Sequence, residues 1–80
     1  MSHIRINILV ALRAAKGEPL PVSVLISGVA NASRAERGDV EGEMRRMQEQ
    51  GLITTTTDAA TDAPAAMLTT KGQATANQLR

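Results

Sequence analysis

Apolar residues recur at helical spacing near the start of the chain. Ile4, Ile8 and Leu12 lie about one helical turn apart from one another. This spacing predicts an amphipathic helix whose apolar face turns to the core. Ser2 is a suitable N-cap for this helix, and Gly17 stands where a glycine commonly ends one.

A second apolar stripe follows the segment "EPLP". Its prolines forbid helix across residues 18–20, so we expect a short extended segment there. Pro21 suits the first position of a second helix, which Asn31 can end. The apolar stripe of that helix consists of Val22, Leu25, Ile26 and Val29. Their i, i+3, i+4, i+7 spacing places them on one helical face.

The segment "ASRAERG", residues 32–38, reads as a connection longer than a tight turn. Its "SRAE" spacing matches a capping box, which allows a helical turn within it. We expect Gly38 to break that turn and Asp39 to cap a third helix over about residues 40–50. Gly51 then ends the third helix. The predicted buried stripe is Val40, Met44 and Met47.

The last third of the chain changes to β-branched residues and turn residues. The segment "LITTTT", residues 52–57, predicts a strand, and residues 58–64 predict a loop. Residues 65–70 predict the returning strand of a hairpin. Residues 71–80 are interpreted as a short helix or a frayed tail.

Composition narrows the classes of protein that this chain can belong to. It has 80 residues, enough for one domain, and no aromatic residue, so aliphatic side chains must build the core. Because a domain of this size buries little surface, a homodimer would add useful apolar burial. No apolar run reaches the roughly 18 residues of a membrane span, so we expect a protein that does not enter the membrane. The absence of cysteine fits a reducing cytoplasm, where we expect the protein to act.

No pattern in the sequence indicates catalysis or a cofactor. The chain contains no cysteine, which excludes disulfides, thiolate metal sites and a cysteine nucleophile. His3 is the only histidine and has no second metal ligand nearby in sequence. We therefore expect neither an enzyme nor a metal site, and no cofactor.

The order of helix, short strand, helix, helix and two-stranded ribbon resembles the winged helix-turn-helix family. The segment "VEGEMRRMQEQGLI" is similar to the third helix of that family and the chain that leads into its wing. The segment "MLTTKGQATANQLR" is similar to the end of the wing in regulators of the MarR and PadR type, and the chain resembles small regulators of bacterial or phage type. The resemblance implies an α+β fold over residues 1–80, with three helices, a two-stranded wing and a short C-terminal helix as an option.

The resemblance also implies a site for double-stranded DNA. The third helix would dock in the major groove, with Arg45 and Arg46 on one rim and Arg34 and Arg37 on the other. The glycine at position 42 would let the backbone come close to the DNA. The predicted DNA-binding residues are Ser33, Arg34, Arg37, Glu41, Gly42, Arg45 and Arg46.

A solvated, mixed-charge helix face is the alternative interpretation of the same residues. Glu41, Arg45 and Glu49 are spaced i, i+4, i+8, which allows them to pair with one another. Residues 34–46 carry four arginines and four acidic residues, so this segment is neutral. A neutral segment weakens the expectation of tight DNA binding.

The predicted wing departs from the family pattern. No Lys or Arg occurs between Arg46 and Lys71, and the tip carries Asp58 and Asp62. We expect a small DNA-binding transcriptional regulator whose wing either stands away from the DNA or contacts it through threonine hydroxyls. The alternative is an adaptor that binds a protein partner through its threonine ribbon.

Overall fold

The computed structural model describes residues 3–79, which form four helices and a three-stranded sheet. The helices are α1 (His3–Ala14), α2 (Val22–Ser33), α3 (Arg37–Glu49) and α4 (Thr70–Asn77). The strands are β1 (Leu20–Pro21), β2 (Ile53–Thr57) and β3 (Pro64–Leu68). The predicted helices and hairpin are confirmed. The predicted extended segment becomes a third strand, and the C-terminal helix forms.

Helix α1 supplies the centre of the core and packs against α2, α3, α4 and β3. Its buried side chains are Ile8, Leu9 and Leu12. Burial of one such aliphatic side chain stabilises the folded state by about 1.5–3 kcal/mol. These three residues therefore make α1 a main contributor to the stability of the core. The helix ends at Ala14, and the chain then turns through Lys16 and Gly17 with φ of 55° and 85°. The cap predicted at Ser2 lies outside the described residues.

Helix α2 is longer than predicted and does not end at Asn31. It continues to Ser33, and Arg34 follows in the left-handed conformation with φ 52° and ψ 43°. The amide of Ala35 donates to the carbonyl oxygen of Ala30 at 3.0 Å, the 6→1 bond of a Schellman ending. Only three residues, 34–36, connect α2 to α3, so the predicted long connection with its own helical turn is wrong.

Helix α3 begins before the glycine that was expected to break it. Glu36 is its extended N-cap residue, and Gly38 and Asp39 belong to the first turn. A helical glycine costs only about 1 kcal/mol relative to alanine, which burial of the helix outweighs. Val40 and Met47 are both 0% exposed, and they hold the apolar stripe against the core as predicted.

The sheet has the order β1-β3-β2, so β2 lies at one edge. Strand β1 pairs antiparallel with β3 through Leu20 opposite Ala66 and Pro21 opposite Ala65. Pro21 was predicted to open α2, but it is the last residue of β1 and the N-cap of α2. Pro64 is the first residue of β3. Proline is tolerated at this position of a strand although it has no backbone N–H to donate.

Helix α4 closes the fold against the loop after α3. Thr69 caps it by accepting a hydrogen bond from the amide of Gly72 at 3.0 Å. A Cβ atom at Gly72 would overlap the carbonyl oxygen of Leu52, so this position requires glycine. The side chain of Arg13 donates to the carbonyl oxygen of Ala76 at 2.7 Å, which ties α4 to α1.

Candidate nucleic-acid interface

The exposed face of α3 divides into two flanks. Glu41 and Arg45 line a groove that α3 forms with Val22 of α2 and Thr55 of β2. Arg46 lies one residue further, about 100° around the helix, and turns toward Glu43 instead. The two neighbouring arginines therefore do not share one rim, which corrects the predicted arrangement.

Three of the predicted arginines have guanidinium groups without a partner in the described part of the chain. Arg34, Arg37 and Arg45 are exposed and make no ion pair or side-chain hydrogen bond within residues 3–79. The pairing of Arg45 with Glu41 and Glu49, which the alternative interpretation allows, is not formed in that part of the chain. These guanidinium groups are therefore available to an external anion.

Glu43 is the acidic residue whose placement the sequence did not predict. Its side chain is 12% exposed, and Oε1 accepts from Nη2 of Arg5 at 2.7 Å and from Nε at 3.0 Å. Its other oxygen, Oε2, lies 3.5 Å from Nη2 of Arg46. This carboxylate is thus neutralised inside the protein by a residue of α1.

Burial of Glu43 changes the charge that the segment presents to solvent. Between residues 34 and 46 the exposed charges are four arginines and three acids, because Glu43 is removed from the count. The three exposed acids are Glu36, Asp39 and Glu41. The surface of this segment therefore carries a net positive charge of one, although the sequence of the segment is neutral.

The connection between α2 and α3 holds Arg34 in a costly backbone conformation. A left-handed residue other than glycine costs roughly 1–2 kcal/mol, and this position at a helix end usually holds glycine. Ser33, just before it, is half-buried, and its hydroxyl accepts a hydrogen bond from Nδ2 of Asn7 at 2.7 Å. Of these two predicted residues, Arg34 is the more accessible to DNA.

A polar stripe on α2 was not identified from the sequence. Ser23, Ser27 and Asn31 are exposed and line a shallow surface that also includes Arg37 of α3. Small hydroxyl and amide side chains of this kind are common donors to DNA phosphates. Their i, i+4, i+8 spacing, beside the apolar stripe of the same helix, is the signal that could have revealed them.

Gly42 is half-buried, and a Cβ atom added there would meet nothing within 4 Å. The protein itself therefore does not need glycine at this position of α3. This is consistent with the prediction that Gly42 leaves room for something outside the chain.

The hairpin of β2 and β3 presents hydroxyl groups and acidic residues. Residues 54–57 are all exposed threonines, and Nε2 of Gln48 lies 3.4 Å from Oγ1 of Thr55. At the tip, Asp58 closes the loop by accepting at Oδ1 from the amide of Ala60 at 2.9 Å. Asp62, also at the tip, has a left-handed φ of 55°.

Residues 3–79 contain neither a membrane-spanning helix nor a cluster of metal ligands. No helix in this range is both long and apolar enough to cross a membrane. Within the same range, no three His, Cys, Asp or Glu residues are grouped so that they could hold a metal ion.

No protein-family model matches the sequence, and no curated protein matches it significantly. Solved structures match nearly all of it. A MarR family transcriptional regulator from Silicibacter pomeroyi is 22% identical with a TM-score of 0.71, over 96% of this chain and 50% of that one. A mutant of MepR from S. aureus, bound to an oligodeoxyribonucleotide, is 22% identical with a TM-score of 0.74, over 96% and 54%.

The chain therefore spans about half the length of these two proteins. A candidate DNA-binding protein from Ralstonia eutropha is 22% identical with a TM-score of 0.69, over 99% of this chain and 96% of that one.

The chain has the winged helix-turn-helix fold. In this fold α2 and α3 are the helix-turn-helix, and the hairpin of β2 and β3 is the wing. The free arginines Arg34, Arg37 and Arg45 all lie in the turn or on α3. Within residues 3–79, three arginines without a partner thus lie on one motif, and Lys16 is an exposed cation outside it, while the wing tip carries only acidic charge.

Proposed function

We propose that this chain is a double-stranded DNA-binding protein that acts as a small transcriptional regulator of bacterial or phage type, in the cytoplasm. The observation that carries this proposal is the set of guanidinium groups with no protein partner within residues 3–79, on Arg34, Arg37 and Arg45. An arginine without an internal partner can bind phosphate or a guanine edge without first breaking an ion pair.

Helix α3 enters the major groove in this proposal. Its exposed face carries Arg37, Glu41, Gly42 and Arg45, with Arg46 on the opposite flank. The polar stripe of α2 then runs beside the DNA backbone, because the first helix of such a motif crosses the backbone. Phosphate contacts from this stripe would set the register, and α3 would carry the base contacts.

The chain acts as a homodimer in this proposal. A net surface charge of one on the helix-turn-helix segment is a small electrostatic footprint for one copy. Two copies double the number of phosphate contacts, and salt-dependent affinity grows with that number. A two-fold symmetric protein would also bind a two-fold symmetric site. Sedimentation velocity with and without duplex tests the stoichiometry, and one copy per duplex would contradict it.

The direct test is fluorescence anisotropy of a labelled mixed-sequence duplex titrated with the protein at several salt concentrations. We expect binding near the micromolar range at low salt, with affinity that falls steeply as salt rises. The double variant Arg45→Ala, Arg46→Ala should abolish binding and keep the helical circular dichroism signal. Lys16→Ala, which removes an exposed charge outside the motif, is the control and should bind nearly as the wild type.

Two outcomes would refute the proposal. One is a wild-type protein that binds no duplex even at low salt. The other is a folded double variant with the affinity of the control. In the second case the surface that binds the duplex would lie elsewhere on the chain.

A protein partner is the second candidate, and the edge position of β2 favours it. One side of β2 pairs with β3, and no strand within residues 3–79 pairs with the other side. An extended peptide can add to such an edge through main-chain hydrogen bonds. Binding of that kind depends weakly on salt, whereas DNA binding through arginines depends strongly on it.

A further inference from the structure

Glu43 links the interior of the protein to the proposed DNA surface. Its two carboxylate oxygens face two different arginines, Arg5 of α1 and Arg46 of α3. The proposed docking of α3 does not use Glu43 or Arg5. Both lie beneath the surface that carries Arg46.

The two arginines hold this carboxylate unequally. Arg5 directs two nitrogen atoms at Oε1, at 2.7 and 3.0 Å, and its side chain is 21% exposed. Arg46 makes one contact of 3.5 Å to Oε2, and its side chain is 64% exposed. The contact to Arg5 is thus the shorter and better shielded of the two, so Arg5 supplies most of the neutralisation of Glu43.

The difference between these two contacts determines whether the side chain of Arg46 can move away from Glu43. A buried carboxylate without a partner is strongly disfavoured. Because Arg5 stays on Oε1, Arg46 can leave Oε2 and reach a phosphate without stranding Glu43. If Arg5 were absent, Arg46 would become the remaining partner of Glu43 in this triad and would be held there.

On the basis of the proposed function, we propose that Arg5 and Glu43 are positioning residues that set how available Arg46 is to DNA. Glu43 competes with phosphate for Arg46, and Arg5 weakens that competition from inside the fold. Neither residue needs to touch the DNA. Arg5 on α1 thereby affects the contact that Arg46 on α3 makes with a phosphate.

The test measures duplex affinity against salt for four proteins: wild type, Arg5→Gln, Glu43→Gln and the double variant. We expect Arg5→Gln to lower the salt slope by about 0.9 for each bound copy, or about 1.8 for the proposed dimer, because each copy loses one phosphate contact. At roughly 0.1 M salt the loss corresponds to about an eightfold weaker affinity for each contact, or about 60-fold for the dimer. The double variant should recover both the slope and the affinity, because Glu43→Gln removes the competitor.

The same substitutions in an Arg46→Ala background separate this proposal from a general charge effect. If the coupling runs through Arg46, Arg5→Gln should no longer change the slope there. An equal effect of Arg5→Gln with and without Arg46 would overturn the proposal. So would a folded Arg5→Gln variant whose slope equals that of the wild type.

If the Arg5→Gln variant does not fold, Glu43→Gln still tests the proposal. Glu43→Gln alone should tighten binding, by less than the roughly eightfold per copy (about 60-fold for the proposed dimer) of a whole contact, and only while Arg46 is present. Unchanged affinity, or equal tightening in the Arg46→Ala background, would overturn the proposal. A wild-type protein that binds no duplex refutes the proposed function as well, whereas the other outcomes refute only this inference.

Discussion

Arg34 stands at a position where the backbone favours glycine, and replacing it should separate stability from binding. The left-handed conformation at φ 52° costs a non-glycine residue roughly 1–2 kcal/mol. Glycine would remove that cost, but it also gives the unfolded chain more freedom, worth about 0.4–1 kcal/mol. Arg34→Gly should therefore stabilise the fold by about 0.5–1 kcal/mol, which raises Tm by roughly 2–8 °C in a domain of this size.

The same substitution should weaken DNA binding. It removes from each copy one guanidinium group that has no partner within residues 3–79, so the salt slope should fall by about 0.9 per copy, or about 1.8 for the proposed dimer. Lys16→Gly is the matched control, because Lys16 is also exposed, also left-handed with φ 55°, and carries the same charge. It should raise Tm by a similar amount and leave the salt slope unchanged.

Thermal melting by circular dichroism and anisotropy with the same duplex measure the two effects independently. A lower Tm for Arg34→Gly would refute the assignment of backbone strain at the turn. Equal salt slopes for Arg34→Gly and Lys16→Gly would show that Arg34 does not contact DNA. A higher Tm together with a lower slope would mean that the sequence keeps a strained arginine for the sake of binding.

Four other substitutions test the packing and the orientation of the domain. Gly72→Ala should prevent α4 from packing, because the added Cβ overlaps the backbone of Leu52, and loss of the cooperative melt would confirm it. Gly42→Ala should raise Tm, since alanine is favoured in a helix by about 1 kcal/mol, yet weaken duplex binding; unchanged affinity would mean that α3 does not approach DNA closely at this point. Met47→Asp should unfold the domain, because the side chain is 0% exposed, and a normal melting curve would contradict the assigned core face. Asp62→Asn keeps a residue that tolerates the left-handed turn, and it should leave duplex affinity unchanged if the wing tip stands away from DNA.

Periodicity predicted the elements whose residues repeat at regular spacing. The apolar stripe of α3, with Val40, Met44 and Met47, is buried as expected. The predicted boundaries between α2 and α3 were wrong because local signals do not decide them. Gly38 does not break α3, since the first turn of a helix with a buried face tolerates one glycine. Asn31 does not end α2, because the actual ending uses a left-handed Arg34.

The interaction that most changes the candidate site could not be predicted from the sequence. Glu43 and Arg5 are 38 residues apart in the chain, and no local rule connects them. Within α3, the i, i+4 pairs of Arg45 with Glu41 and Glu49 were an equally reasonable arrangement. Helical spacing allows such pairs, but it does not favour them by more than a few tenths of a kcal/mol. Tertiary packing of α1 against α3 decides which acid is neutralised.

Net charge along the sequence is therefore a poor measure of what this helix-turn-helix offers to a phosphate backbone. A carboxylate that is paired inside the fold does not repel phosphate as an exposed one does, because its charge is already balanced at 2.7 Å. Exposed acids keep their effect, and Glu41 lies in the same groove as Arg45. Glu41 can accept from cytosine in the major groove but repels phosphate when unpaired. Under the proposed function, the arginines would supply the affinity, and Glu41 would restrict the sequences at which α3 can dock.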